Sequence, residues 1–191
     1  QLVPLQVVNA SGLNMPNAIV AAITWAINNN INILNYSIAG WESDWSQLNS
    51  AISNYAGIFV CAAGNQDSNN DQFPRYPQNY STWHNRVITV GAIKSDGTRP
   101  GVSDWGYDIH GNPTGSNYGA TSVSIYAPGD NILSTVQLGS YTFSYQPRDG
   151  TSYAAPHVVG TAALLLSISS TLTSAQIKSA ILNNADTITI S

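Results

Sequence analysis

One hydroxyl group stands where a glycine-containing turn runs into an apolar helix near the end of the chain. Residues 150–157 read GTSYAAPH and lead into the apolar run 158–166, so Ser152 falls at the predicted start of a helix. The first N–H groups of a helix have no partners within it, and the helix dipole is positive there. An oxyanion beside Ser152 would therefore meet free donors. Ser152 is thus a candidate nucleophile, although an N-cap serine on an ordinary helix has the same local pattern.

A second polar side chain follows a buried strand. The apolar segment 57–63 is followed by Gly64 and Asn65, so the Asn65 amide can project from a strand end toward a cleft. Preorganised amide N–H groups can stabilise the oxyanion of acyl transfer, which makes Asn65 a candidate for that role. The Gly-Asn pair by itself, however, favours a turn-forming asparagine.

None of the three histidines is placed to activate Ser152. His157 lies five residues after Ser152 on the same predicted helix, so its side chain cannot turn back to the serine hydroxyl. His84 and His110 lie in polar loop segments, and we expect both to face solvent. A serine hydroxyl is a poor nucleophile without an adjacent base. The sequence therefore contains a candidate nucleophile and a candidate oxyanion donor, but no histidine placed as their base.

The elements that would position these groups alternate between strand and helix. Segments separated by helices in this way indicate βαβ units, and hence an α/β fold with a parallel sheet. Strands are predicted at 2–8, 31–38, 57–63 and 86–93, short β segments at 122–126 and 132–136, and helices at 16–28, 44–55, 152–168 and 174–183.

Composition limits the class of protein. The 191 residues suit one domain, 43% are hydrophobic, only 8% are charged, and the net charge of −4 offers no basic surface for nucleic acid. No apolar run approaches the roughly 20 residues of a membrane span. The single cysteine, Cys61, excludes an internal disulfide, and its place in an apolar strand predicts a buried, inert thiol.

The motifs together resemble those of the subtilisin-like serine proteases, the subtilases. Residues 150–157 resemble the family's Gly-Thr-Ser-Met-Ala-x-Pro-His motif around the nucleophile. Residues 60–65 (VCAAGN) are similar to its strand ending in Ala-Ala-Gly-Asn, and residues 35–40 (NYSIAG) to its Asn-Met-Ser-Leu-Gly-Gly strand, which binds substrate backbone. Further matches follow in the family's order at 76–77, 87–92, 116–119 and 127–129. The resemblance covers essentially the whole chain and implies a three-layer α/β subtilisin-like fold with a mostly parallel sheet, present as a single partial catalytic domain, 1–191.

The resemblance also implies a site for an extended peptide. It makes Ser152 the nucleophile, Asn65 part of the oxyanion hole and His157 a structural histidine packed in the core. Ala39 stands where glycine is common and would narrow the pocket for the P1 side chain. Arg75 would favour an acidic P1 side chain, or else point to solvent. The implied substrate-binding residues are Ser37, Ile38, Ala39, Gly40, Ala62, Ala63, Gly64 and Arg75.

Two motifs of the family are absent from this chain, namely the catalytic aspartate in Asp-Ser/Thr-Gly and the histidine in His-Gly-Thr-His. Both precede the strand that residues 2–8 resemble, so the catalytic strand and the histidine helix are missing. We expect them from another chain or from a lost N-terminal segment. That strand would lie between the strands at 2–8 and 31–38, whose backbone groups would otherwise stay unpaired. The alternative is a catalytically dead, peptide-binding module with the same fold.

The remaining expectations concern ligands and location. A peptide or protein substrate, and a secreted or cell-surface place in a bacterium, follow from the resemblance. No cofactor is expected. Residues 67–71 (DSNND) carry alternating oxygen groups as calcium loops do, but a solvated insertion is the favoured interpretation.

Overall fold

A parallel sheet of four strands forms the centre of the protein. The computed structural model describes residues 1–9, 16–38, 40–139 and 142–188. The strands lie in the order β1–β2–β3–β4, and each is parallel to its neighbour. They are β1 (Ile33–Tyr36), β2 (Ile58–Ala62), β3 (Val87–Ile93) and β4 (Ile125–Pro128).

Helices and one hairpin complete the described chain. The helices are α1 (Pro16–Asn28), α2 (Ser46–Asn54), the short α3 (Val102–Trp105), α4 (Thr151–Ile168) and α5 (Ser174–Asn183). An antiparallel hairpin consists of β5 (Ile132–Gln137) and β6 (Phe143–Arg148), and a 3₁₀ helix spans Gln78–Thr82. The predicted helices and the strands after residue 30 are thus present, with ends that shift by up to three residues.

Side chains of β2 alternate between two cores, which defines three layers. All five residues of β2 are buried, as is typical of a parallel strand covered on both faces. Phe59 and Cys61 pack with α1 and α2, whereas Ile58, Val60 and Ala62 pack with α4 and α5. The expected three-layer α/β arrangement is confirmed.

Local sequence explains how the outer helices attach. Buried residues of α1 recur at helical spacing, with Ile19, Ile23 and Ala26 on one face. Helix α5 begins with the capping box that the sequence indicates, in which Thr173 and Gln176 each accept a hydrogen bond from the other's backbone N–H.

The prediction of a strand at residues 2–8 is wrong. Only Val8 takes part in an isolated bridge, and Leu2 and Val3 are 93% and 44% exposed. A segment becomes a strand only when a neighbouring strand takes up its N–H and C=O groups. Among the described residues, β1 has a strand neighbour on one side only, namely β2.

Helix α4 covers the sheet with one face and leaves the other exposed. Ala154 and Val158 are buried, whereas His157 is exposed and Leu164 and Ile168 are 67% and 84% exposed. The prediction that His157 packs in the core is therefore wrong for the described chain, because no described element covers this face. By length and composition α4 could cross a membrane, contrary to the sequence-based expectation. Its buried face nevertheless packs on all four strands, as a core helix does.

Candidate active site

The candidate site lies where β1 and β2 separate at their carboxyl ends. The two strands pair as far as Tyr36 and Cys61, whereas β2 stays hydrogen-bonded to β3 beyond this point, where Ala63 N–H donates to the Val90 carbonyl. In open α/β sheets the crevice beyond the carboxyl ends of the strands is the usual place for a ligand. The N-terminus of α4 reaches the same edge, since Gly64 N–H donates to Thr151 Oγ1 at 3.1 Å.

Ser152 is the second residue of α4, and the backbone N–H groups on either side of its own are engaged. Thr151 N–H donates to Asn65 Oδ1 (2.9 Å), and Tyr153 N–H donates to the Gly150 carbonyl (3.0 Å). Within the described ranges, the N–H of Ser152 has no hydrogen-bond partner. A donor at a helix N-terminus that the helix itself leaves free is suited to bind an anion.

The amide of Asn65 is oriented with its oxygen toward α4. Its Oδ1 accepts hydrogen bonds from Thr151 N–H and from Thr151 Oγ1 at 2.9 and 2.7 Å. Because the Thr151 N–H can donate only to an acceptor, the amide atom that faces it must be Oδ1 and not Nδ2. The Nδ2 donor is therefore directed elsewhere, and no described residue accepts a hydrogen bond from it.

Gly150 leaves space between these two free donors. Its φ of 145° is a conformation that favours glycine. A Cβ at this position would lie 3.3 Å from Asn65 Nδ2 and 3.7 Å from Ser152 N. Both donors thus flank the volume that the missing side chain leaves open. Two convergent N–H donors next to a serine hydroxyl can stabilise the oxyanion of an acyl-transfer reaction.

Ser37 and Ser152 are joined by two hydrogen bonds. Ser37 Oγ donates to the Ser152 carbonyl at 3.1 Å, and Ser152 Oγ donates to the Ser37 carbonyl at 3.3 Å. The second is long for a hydroxyl donor, so it holds the Ser152 hydroxyl weakly. Asn35 Nδ2 in turn donates to Ser37 Oγ at 3.1 Å. The segment that continues β1 is thus fastened to the start of α4.

Two side chains whose site roles the sequence did not indicate support this arrangement. Thr151 orients the Asn65 amide through its N–H and its hydroxyl. Asn117 binds the loop that follows Asn65 through several hydrogen bonds. Asn117 is fully buried, its Oδ1 accepts from the N–H groups of Gln66 and Ser68, and its Nδ2 donates to the Ala63 carbonyl. The sequence signals that could have indicated these two roles are the positions of Thr151 and Asn117 in the motifs at 150–157 and 116–119.

The two predicted substrate-binding walls lie on either side of Gln78. Gln78 Nε2 donates to the carbonyls of Ile38 (3.2 Å) and Ala62 (3.0 Å), and Gly40 packs against its side chain. Nothing in the sequence pattern had pointed to Gln78. Ala39, which was expected to narrow the P1 pocket, lies outside the described residues.

The histidines do not form a base for Ser152 in the described chain. His157 Nδ1 lies 2.9 Å from the Tyr153 carbonyl on its own helix, and His84 Nε2 lies 2.8 Å from Asn49 Oδ1. Burial, followed by the charges of Arg86 and Lys178, lowers the pKa of His84. His84 is half-buried, so the expectation that it faces solvent is wrong, whereas His110 is exposed as expected.

Arg75 forms an ion pair with Glu42. Its Nη1 lies 3.1 Å from Glu42 Oε1, with the two side chains 29% and 80% exposed. The pair flanks the bridge between Trp41 and Tyr76. An ion pair this accessible is screened by solvent and worth little by itself, but it reduces the positive charge that an acidic peptide side chain would meet.

Oxygen groups of residues 67–71 are engaged within the protein. Asp67 is paired with Arg99, and the Asp71 carboxylate accepts hydrogen bonds from Thr121 and Ser122. Burial opposes ionisation of Asp71, but these hydrogen bonds outweigh it and hold its pKa below the usual range. No group of three or more metal-ligating His, Cys, Asp or Glu side chains occurs in the described part of the chain.

Comparison with known proteins agrees with this architecture. The model of the subtilase family matches residues 1–190. The chain is 32% identical to subtilisin DY of Bacillus licheniformis, over 96% of this chain and 60% of that protein. It is 33% identical to an intracellular serine protease of Paenibacillus polymyxa, over 86% and 45% of the two chains. The crystal structure of a cold-adapted subtilisin-like serine proteinase superposes with a TM-score of 0.72 and 25% identity, over 94% of this chain and 58% of that one.

The three-layer α/β fold of this chain is thus similar to that of a subtilisin-like serine proteinase. The chain belongs to the subtilase family of serine peptidases. It spans 60% and 45% of the lengths of the two curated relatives described.

Proposed function

We propose that this chain supplies the nucleophile and oxyanion hole of a serine endopeptidase. Ser152 Oγ attacks the peptide carbonyl, and Ser152 N–H and Asn65 Nδ2 bind the oxyanion that forms. The observation that carries this proposal is the convergence of the two free donors on the space beside Gly150. Peptide or protein substrates are the class on which such an acyl-enzyme mechanism acts.

The base is supplied by a segment that carries a histidine and an aspartate, from another chain or from an N-terminal region of the same protein. The Ser152 hydroxyl has only a carbonyl as its hydrogen-bond partner among the described residues, and a carbonyl cannot accept the proton. The exposed apolar side chains of α4, Leu164 and Ile168, and the uncovered edge of β1 offer surfaces on which such a segment can dock.

An extended peptide lies along residues 37–40 and opposite Ala62, Ala63 and Gly64. Strand-like pairing would give backbone affinity without regard to sequence, as in other β-augmentation sites. The chain would function in a secreted or cell-surface setting, although one of the relatives described is an intracellular protease. No cofactor takes part in this mechanism.

A peptide-binding module without catalytic activity is the second candidate. It is favoured by the lack of contact between Ser152 and any histidine in the described ranges. Loss of the base leaves only about 10³–10⁴ of rate over water, from the oxyanion hole and binding. The two candidates therefore differ in whether a base-bearing partner restores turnover.

A fluorophosphonate probe tests the proposal, because it labels a serine only when that serine is activated. The chain alone is expected to remain unlabelled. Co-expression with the N-terminal part of a subtilisin that carries both missing motifs is expected to produce labelling at Ser152 and hydrolysis of a fluorogenic peptide. Mass spectrometry identifies the labelled residue and any polypeptide that co-purifies.

The matched control is Ser167→Ala, which removes an exposed hydroxyl from the same helix and should leave labelling unchanged. Ser152→Ala should abolish it. Ordinary protease turnover by the chain alone would refute the need for a partner. Peptide binding without labelling in every combination would establish the binding module instead.

A further inference from the structure

One buried side chain spans the gap where β1 and β2 separate. Gln78 is 1% exposed, and its Nε2 donates to the carbonyls of Ile38 and Ala62 at 3.2 and 3.0 Å. Ile38 lies in the segment that continues β1, and Ala62 is the last residue of β2. A single NH₂ group therefore links the two segments just beyond the point where their ladder of backbone hydrogen bonds ends.

Contacts on several sides hold Gln78 in this position. Its own carbonyl accepts a hydrogen bond from Thr89 Oγ1 at 2.6 Å. Its Oε1 is buried, has no hydrogen-bond partner among the described residues, and lies where a Cβ on Gly40 would approach to 2.1 Å. The amide cannot turn over, because its oxygen would then face two carbonyl oxygens. Gln78 is thus a rigid block between the two walls.

We propose that Gln78 closes the inner end of the slot between Ile38 and Ala62 and restricts this slot to small side chains of a bound peptide. This inference rests on the proposed function, in which a peptide lies along residues 37–40. A side chain that enters between the walls meets the Gln78 amide instead of open volume. The substrate class is therefore peptides with a small residue, such as alanine or valine, at the position that enters the slot.

Displacement of Gln78 by a larger side chain is unfavourable. Moving the amide breaks both Nε2 hydrogen bonds, and it leaves the buried Ala62 carbonyl and the partly buried Ile38 carbonyl without this donor. Arg75 offers at most a weak selection by charge, because Glu42 lies 3.1 Å from its guanidinium and reduces the positive charge there. The size of the slot, set by Gln78, consequently decides which peptides fit.

Calorimetric titration of peptides measures this selectivity without requiring turnover. The protein is used in the assembly in which it purifies, and the probes are acetylated tetrapeptides that differ only in a C-terminal Ala, Val, Leu or Phe. The unmodified protein is expected to bind the Ala and Val peptides more tightly than the Phe peptide. Gln78→Ala, which opens the slot, is expected to shift this ratio toward Phe by roughly tenfold or more.

Gln78→Met separates volume from hydrogen bonding, because it fills the slot but donates to neither carbonyl. It should keep the original ranking, whereas a merely structural role of the amide would affect Met and Ala variants alike. The matched control is Gln72→Ala, the same substitution at an exposed position of the preceding loop. Gln78→Ser, which opens nearly the same volume and retains one donor, replaces Gln78→Ala if the latter does not fold by circular dichroism.

Two outcomes would overturn the inference, and they are distinguishable. If Gln78→Ala binds the four peptides in the unchanged order of affinity, Gln78 does not select among them, and the proposed peptide binding still stands. Failure of the unmodified protein to bind any of the four peptides would overturn the proposed function together with this role.

Discussion

The hydroxyl of Ser37 donates to the carbonyl of Ser152, the group that Pro156 leaves without its helical donor. In a regular helix the N–H of residue 156 would bond to this carbonyl four residues earlier, and proline has no N–H. Ser37 Oγ takes that place at 3.1 Å. The proline within α4 is therefore not merely tolerated, because it frees an acceptor through which the segment after β1 is held to the candidate nucleophile.

A double-mutant cycle tests this link. Ser37→Ala is expected to lower the free energy of unfolding by about 0.5–1.5 kcal/mol, the usual net value of one hydrogen bond. In a Pro156→Ala background, the new N–H at residue 156 can donate to the Ser152 carbonyl. Ser37→Ala should therefore lower the free energy of unfolding by a measurably smaller amount in that background. Urea unfolding of the four proteins gives the coupling energy. Equal costs in both backgrounds would show that the two groups do not share the acceptor.

Asn65→Ala is expected to reduce kcat far more than it raises KM in an active complex. In the proposed mechanism the amide binds the oxyanion of the transition state and not the ground-state carbonyl. A loss of about 10²–10³ in kcat, the value known for subtilisin itself when one oxyanion donor is removed, sets the scale. Steady-state kinetics on a peptide substrate measure it, and an unchanged kcat would mean that Asn65 only shapes a turn.

Thr151→Val should lower kcat less than Asn65→Ala does. It keeps the backbone N–H that donates to Asn65 Oδ1 and loses only the hydroxyl. Thr151→Ser retains the hydroxyl and should restore the original kcat. The measurement is the kcat of both variants against a common peptide. Equal activity in the valine and serine variants would argue that Asn65 is oriented without the hydroxyl.

Arg75 is expected to select acidic peptides only after its partner is removed. In the native protein Glu42 lies 3.1 Å from the guanidinium, so an acidic peptide side chain gains little. Glu42→Gln should therefore strengthen binding of an Asp peptide relative to its Asn counterpart, by at most about 1 kcal/mol because the pair is accessible to solvent. Titration at low and high salt checks it, and the gain should shrink as salt is added. A strong preference for Asp in the unmodified protein would contradict this account.

Buried acidic groups on the α1–α2 face should make the protein sensitive to alkali. Burial raises the pKa of Cys61 from 9.0 to about 12, against smaller opposing effects of Thr89 and Lys178. Burial also raises the pKa values of Tyr36 and Tyr55. Because folded-state pKa values above the unfolded ones favour folding only while the groups stay neutral, this contribution is complete below about pH 9 and declines as the pH rises toward 12.

Urea midpoints measured across this pH range should therefore fall, and Cys61→Ala should reduce the steepness of the fall. The native thiol should also resist a disulfide reagent at about pH 8 and react once the chain is unfolded, since only the thiolate is nucleophilic. Rapid modification of the native protein would show that Cys61 is not buried in solution.

Local sequence was sufficient for most of the secondary structure. The apolar spacing of α1, the continuous apolar run of β2 and the capping box of α5 are short-range patterns, and each forms the element that the pattern predicts. The same holds for Ser152 at the start of α4, because the glycine turn and the apolar run are contiguous with it. The thiol of Cys61 is buried as expected for the same reason.

Other features depended on which segments meet in three dimensions. Residues 2–8 have the composition of a strand but meet no partner strand among the described residues, and His157 lies on a helix face that no described element covers. The free end of the Asn65 amide is decided by Thr151, 86 residues later in the chain. Gln78 acquires its place only because β1 and β2 separate at its side chain. Periodicity and motif encode the local conformation and the residue types of a site, whereas the direction of each donor and the contents of the slot depend on contacts between segments distant in sequence.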